Sequence, residues 1–184
     1  MTEKIIYTTK TKTGKTISFR YPTINDVQIL TSFINKASKE KTFIRFQGEQ
    51  QSLEEEKKWL ESTIKNIDNK EEVYLMAFID NELAGTGNVK QEKFTRKHLG
   101  LFGIVVDSNF RGEGVGETLM KLVISEAIKN IKGLKIINLE CFATNFIAQN
   151  LYKKMGFIEY GRFPGASKHK GKFIDEILMY KKVK

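Results

Sequence analysis

Apolar and polar positions along the chain follow two rhythms, one of alternate residues and one of helical spacing, and the switches between them outline its elements. The segments Lys4–Thr9 and Thr16–Arg20 flank a Thr13-Gly14 turn and predict a hairpin. Thr23-Ile-Asn-Asp26 offers a capping box ahead of Val27, Leu30, Phe33 and Ile34, which recur at helical spacing. A second helix is predicted from Ser52, whose hydroxyl can cap it while Glu54, Glu55 and Glu56 favour its positive N-terminus. Two strands follow, Val73–Ile79 and Leu83–Val89, joined by a tight Asp80-Asn81 turn. Leu99–Val106 is almost wholly apolar, as suits a central strand covered on both faces. Val115, Leu119, Leu122, Val123 and Ile131 mark one stripe of a helix that begins in a glycine-rich turn, and Lys135–Phe142 is a further strand. Ile147, Ala148, Leu151, Tyr152 and Met155 make another helical stripe, with Gly156 where a helix-ending glycine belongs. Phe157–Phe163 and Phe173–Lys182 read as two closing strands around a polar Gly165–Gly171 loop.

This order predicts an α/β (α+β) fold, a mixed central sheet with flanking helices and strand–helix–strand–helix in its second half. No linker rich in Pro, Gly or Ser divides the 184 residues and no internal repeat is visible, so one domain over residues 1–184 is expected. Apolar residues make up 40% of the chain, enough for a sizeable core. The single cysteine excludes an internal disulfide and a cysteine-rich zinc site, and no metal is expected. The first residues lack the apolar stretch of a signal peptide, and the longest apolar run is too short to span a bilayer. A soluble, reducing, cytoplasmic setting without membrane partners is therefore expected. The net charge of +9 suits an anionic ligand, a nucleic acid or an acidic surface, and equally a solvated lysine-rich exterior.

Chemistry concentrates in Val106-Asp-Ser-Asn-Phe-Arg111-Gly112-Glu113-Gly114-Val115-Gly116, between a buried strand and a helix. Three glycines in five residues remove side chains where a backbone must bend and meet a ligand closely. The N–H groups at the following helix start form an anion site, and Arg111 adds a charge that can bind bidentately. A pyrophosphate would suit these parts. The stretch is not a P-loop, because no Gly-Lys-Ser/Thr follows. The dinucleotide spacing fails as well, since Glu117 stands where its last glycine should be. A purely structural turn would explain the glycines but not the adjacent arginine.

Arg111-Gly-Glu-Gly114-Val-Gly116 resembles the Arg/Gln-x-x-Gly-x-Gly/Ala signature of GCN5-related N-acetyltransferases. Downstream, Asn145-Phe-Ile-Ala148-Gln-Asn-Leu151-Tyr152-Lys-Lys-Met-Gly156-Phe157 is similar to that family's Asn-x-x-Ala-x-x-Leu-Tyr-x-x-x-Gly-Phe pattern. The two blocks stand in the family's order with one strand between them, and the recognisable core runs from Leu99 to Phe157. The stretch from Gly161-Arg-Phe to Gly171-Lys-Phe-Ile-Asp175-Glu-Ile-Leu-Met179 looks like the ending of ribosomal-protein N-terminal acetyltransferases and their bacterial relatives.

The resemblance implies the acyl-CoA N-acyltransferase fold and acetyl-CoA as co-substrate. It places the pantetheine arm along Ile104, Val105 and Val106, and the pyrophosphate on the amides of Arg111, Gly112, Glu113, Gly114, Val115 and Gly116. The implied reaction is direct attack of a neutral amine on the thioester within a ternary complex. Backbone N–H groups of the central strand would stabilise the oxyanion. An amine with a pKa like that of lysine needs a base or water relay, and the departing thiolate benefits from a proton donor. Tyr152 matches the family's tyrosine near the cofactor sulfur and is the candidate acid; its alternative is an amphipathic core position. Glu140, on the strand face shared with Ile136, Asn138 and Phe142, is the candidate base, or else a structural carboxylate paired with a cation. Asn145 serves the cofactor arm, caps the last helix, or does both.

Other residues carry less. Cys141 reads as a small buried hydrophobe rather than a nucleophile, with no histidine near it in sequence to activate it. His98 and His169 are too far apart in sequence to suggest a metal site, and Trp59 reads as core before acceptor wall. Phe43, Arg45 and Phe46 occupy a region that in this fold often shapes the acceptor pocket. The acceptor amine, a small molecule or a protein N-terminus, is not named by the sequence, nor is the oligomeric state, a homodimer included. Two competitors are a non-catalytic coenzyme A-binding sensor or scaffold, and a nucleic-acid binder. The lysines are scattered rather than gathered on one basic face with interleaved aromatics, which argues against the latter.

Overall fold

The computed structural model describes residues 4–183. One sheet of eight strands organises the chain: β1 (Ile5–Lys10), β2 (Thr16–Arg20), β3 (Glu72–Ile79), β4 (Glu82–Gln91), β5 (Leu99–Val106), β6 (Ile136–Phe142), β7 (Ile158–His169) and β8 (Lys172–Lys182). Their spatial order is β1-β2-β3-β4-β5-β6-β8-β7. Every neighbouring pair is antiparallel except β5 and β6. The helices are α1 (Val27–Lys39), α2 (Leu53–Asp68), α3 (Val115–Asn130) and α4 (Phe146–Lys154). The parallel pair follows from α3, since returning a strand to the same end of the sheet requires a crossover connection.

Local sequence explains most boundaries. Ser52 accepts the Glu55 N–H while Glu55 reaches back to the Ser52 N–H at 2.8 Å, a complete capping box at the start of α2. Asp26 accepts the Thr23 N–H at 2.6 Å before α1, and Arg20 grips both oxygens of the same carboxylate at 2.8 and 2.6 Å. Asp80 and Asn81 both take positive φ, +51° and +65°, which fits a two-residue hairpin whose twist matches its strands.

Two apolar layers cover the sheet. Leu119, Val123 and Ala127 of α3 pack with Leu75, Val89, Phe102 and Ile137 on one face. On the other, Leu30 and Phe33 of α1 and Leu60 of α2 pack with Tyr74, Met76 and Leu83. Among the described residues no helix is long and apolar enough to cross a membrane.

Two expectations are corrected. The Gly165–Gly171 stretch is not a loop: β7 continues to His169, and only Lys170 and Gly171, at φ +49° and +78°, make the turn. Polar composition suggested a loop, but β7 is the sheet edge and largely solvated, so it has no apolar face to reveal it. A register shift between Phe163 and Ser167 absorbs Pro164 and Gly165. Ile147 is also misplaced on the buried stripe of α4, being 85% exposed; Gln149 and Tyr152 are the buried positions.

Candidate active site

The parallel contact between β5 and β6 is short. It comprises Leu99 with Ile136, Gly100 with Ile137 and Leu101 with Asn138, after which the strands part. Beyond that point, among the described residues, the β6-facing backbone groups of Phe102–Val106 have no ladder partner, although such groups are strongly driven to pair. Asn138, the last paired residue, has a buried side-chain oxygen with no hydrogen-bond partner. The result is a wedge lined by polar backbone, suited to an extended amide-bearing chain such as pantetheine.

The glycine-rich loop stands at the open end of this wedge. Gly112 and Gly114 adopt φ +84° and +86°, the left-handed region where a side chain is strained, and Gly114 is the N-cap of α3. Gly116 needs no unusual φ; a Cβ there would sit 3.5 Å from Val106 Cγ2, so an alanine fits. The first turn of α3 thus offers its N–H groups outward, as a pyrophosphate requires. Glu113 points the other way. Its carboxylate accepts from Thr13 Oγ1 at 2.7 Å and its carbonyl accepts the Lys12 N–H at 3.2 Å, so the β1–β2 turn braces the loop. Arg111 donates through Nε to the Val106 carbonyl at 3.1 Å and through Nη2 to Glu40 at 2.7 Å. An incoming anion would share this guanidinium with Glu40.

Tyr152 lies at the side of the wedge. Its ring meets Phe102 of β5 edge-on at 6.2 Å and tilts against Phe157 at 6.2 Å, and its hydroxyl has no hydrogen-bond partner among the described residues. Burial drives the phenol well above its ordinary pKa, with Cys141 of β6 adding to the effect. The group therefore stays protonated across the neutral range. Asn145 accepts the Ala148 N–H at 3.1 Å and caps α4, the second of the two roles expected of it. Burial likewise raises the Cys141 thiol to about 11, which suits an inert core residue.

Glu140 lies away from Tyr152's side of the sheet. Alternation along β6 turns Ile137, Leu139 and Cys141 into the α3 core and leaves Glu140 exposed. It pairs with Arg45 at 3.0 Å and lines a polar recess with Phe163 and Ser167. As a base it would first have to release that arginine. Phe43 packs against Phe142 and His169, so the segment between α1 and α2 rests on the β7–β8 hairpin.

A second cavity, of about 280 Å³, lies under α1 and α2 on the face of the sheet away from α3. Its floor includes Tyr74, Thr86 and Gly103 with the backbone of Ile104 and Val105, so the β5 segment that borders the wedge also borders this cavity. Phe33, Phe46, Trp59 and Glu56 close it from above. Trp59 is 40% exposed and meets Tyr74 edge-on at 5.3 Å; it lines the cavity rather than the core. Glu56 is 7% exposed, and among the described residues its carboxylate has no hydrogen-bond or ion-pair partner. Burial raises its pKa.

Sequence reading passed over Glu56 because three consecutive glutamates at a helix start look like dipole complements. The signal was its register: Glu56, Leu60, Thr63 and Ile67 share one stripe of α2, so this glutamate alone of the three falls on the inward face.

Comparison with known proteins agrees with this geometry. Residues 34–157 match the model of the Acetyltransferase (GNAT) family. The L-amino acid N-acetyltransferase AaaT of Escherichia coli (strain K12) is 33% identical over 106 residues, which cover 57% of this chain and 65% of the relative. A GNAT acetyltransferase structure from Streptococcus pneumoniae superposes with a TM-score of 0.82 at 27% identity, covering 91% of this chain and 99% of that one. The ribosomal-protein-alanine N-acetyltransferase of Brucella melitensis gives 0.79 at 25% identity, covering 90% and 99%. With a family match over more than half its length, the chain belongs to the acetyltransferase (GNAT) family.

Proposed function

We propose that the protein is an acetyl-CoA-dependent N-acetyltransferase that acetylates a primary amine, on a small molecule or a protein N-terminus, by direct attack within a ternary complex. The observation that carries this reading is the parting of β5 and β6 after Leu101 and Asn138, with the Gly112–Gly116 cradle at the mouth and Tyr152 at the side. Acetyl-CoA supplies the activated acyl group as a thioester. Ile104, Val105 and Val106 present backbone to the pantetheine arm, and the amides from Arg111 to Gly116 hold the pyrophosphate. Backbone N–H of the same strand, fixed before the reaction, stabilises developing charge on the carbonyl oxygen. Tyr152, kept protonated by burial, donates to the departing sulfur. Glu140 and Arg45 order the acceptor entrance as an ion pair.

Calorimetric titration with acetyl-CoA, followed by thiol-release assays against a panel of amines, tests the reading. Binding with thiol release for one amine class is the expected result. Binding with no release from any amine would favour a sensor module, and absence of binding would overturn the cofactor assignment.

A further inference from the structure

The described residues include four acidic side chains in the buried class, and three are satisfied. Asp26 is gripped by Arg20, and Asp107 by Lys36 at 2.6 Å. Glu72 accepts from Asn66 at 3.1 Å and Asn88 at 3.0 Å, with Lys90 at 3.7 Å. Glu56 is the exception, and it faces a cavity. A carboxylate taken largely out of water without a partner is costly. The Glu56 oxygens keep some accessible surface at the cavity it lines, where a cationic ligand would complete them.

We propose that Glu56 is the acceptor-binding carboxylate: it captures the ammonium group of a primary amine carried on a compact apolar or aromatic body, and takes its proton. This rests on the acetyltransferase reading above. The cavity supplies the other half of the recognition. Phe33, Phe46, Trp59 and Tyr74 give it aromatic walls, which suit an apolar body and attract a cation through their ring faces. Its volume of about 280 Å³ holds a body of roughly phenylethyl size, at the small end of ligand pockets. The floor at Gly103 is kept open by glycine: a Cβ there would come 2.8 Å from Asn88 Oδ1.

The step balances within the site. One ammonium N–H bond breaks and its electron pair stays on nitrogen as the nucleophile. An O–H bond forms on Glu56, and that proton passes to solvent after the product leaves. The second N–H proton is lost from nitrogen once the C–N bond has formed and the C–S bond breaks, and it replaces the proton Tyr152 gives to the sulfur. The raised pKa of Glu56 brings it closer to neutrality, where a base works well. Tyr74 of β3 is the other titratable group lining the cavity, itself raised first by burial and then further by Glu56; α1, β4, β5 and the segment before α2 contribute none. Glu56 thus meets no competing cation.

The test uses 2-phenylethylamine and its neutral counterpart 2-phenylethanol as probes, titrated calorimetrically into the coenzyme A-loaded protein. Wild type, Glu56→Gln and the control Glu61→Gln, on the exposed side of α2, are compared. The amine should bind wild type at least tenfold more tightly than the alcohol does. Glu56→Gln should lose at least tenfold in amine affinity and about 100-fold in kcat with coenzyme A affinity unchanged, while Glu61→Gln stays within twofold. An amine that fails to bind wild type, or binds Glu56→Gln equally well, overturns the proposal. If wild type fails to bind coenzyme A, the enzyme reading falls instead; the same titrations on unloaded protein then decide Glu56.

Discussion

Replacing Tyr152 with phenylalanine separates chemistry from packing at this site. The hydroxyl has no hydrogen-bond partner among the described residues, so its removal strands no donor or acceptor. The contacts with Phe102 and Phe157 are ring contacts and survive in phenylalanine. Stability should therefore change by less than about 0.5 kcal/mol, as for a substitution without a cavity or an orphaned polar group. What is lost is the proposed proton donor. General-acid catalysis contributes roughly 100- to 10,000-fold, and solvent entering an open wedge replaces part of it. We expect kcat to fall about 100-fold, equivalent to about 2.7 kcal/mol of transition-state stabilisation. The KM for acetyl-CoA should stay within twofold. Because burial raises the phenol well above its ordinary pKa, its ionisation should leave no basic limb in the wild-type profile up to pH 9, and the variant should show the same shape at a lower level. Thiol release, followed from pH 6 to pH 9 at saturating amine, reads all three quantities. Unchanged kcat would refute the acid assignment. A parallel loss of coenzyme A affinity and thermal stability would show that the tyrosine acts through packing.

Gly114→Ala places a side chain at φ +86° and should cost roughly 1–2 kcal/mol of stability by urea titration, while weakening coenzyme A binding. Gly116→Ala, with room for its Cβ, should bind coenzyme A within threefold of wild type in the same titration. Burial pushes the Asp26 carboxyl up, but hydrogen bonds from Arg20 and the Thr23 N–H outweigh it and hold the pKa below its ordinary value. Its stabilisation is thus present above the unfolded pKa and lost as pH falls through the folded one. Asp26→Asn should cost about 3 kcal/mol at pH 7, and its melting temperature should fall less steeply than that of wild type below pH 4. With a pKa of about 11, Cys141 is about one part in a thousand thiolate at pH 8, so iodoacetamide should label the native protein far more slowly than the unfolded chain, as read by mass spectrometry.

The limits of β5 were legible to the residue because an apolar run bounded by polar residues reads as one strand. The expected cover on both faces is not met: Leu101 is exposed and Ile104, Val105 and Val106 are half-buried, because the strand borders the wedge and the cavity. The glycine loop was legible because backbone conformation, not context, demanded Gly112 and Gly114. Glu140 was different: strand alternation placed its face correctly, but whether a carboxylate on that face meets an amine or an arginine depends on Arg45, 95 positions away. Trp59 failed for a related reason, since a tryptophan on an amphipathic helix does not report whether the volume beneath it is filled. The extent of β7 was hidden because an edge strand with two solvated faces loses the alternation that identifies a strand.

The brace between Thr13 and Glu113 gives the opening hairpin an influence its sequence does not advertise. That hairpin lies before the family-matched segment and supplies no proposed ligand to the cofactor, yet it braces the loop proposed to receive the pyrophosphate. Cofactor affinity can therefore drift through substitutions at Lys12 and Thr13 while every signature residue stays fixed. For engineering, this turn is a tuning screw: its residues can be exchanged to loosen or tighten the cradle without touching a group that handles the acetyl transfer.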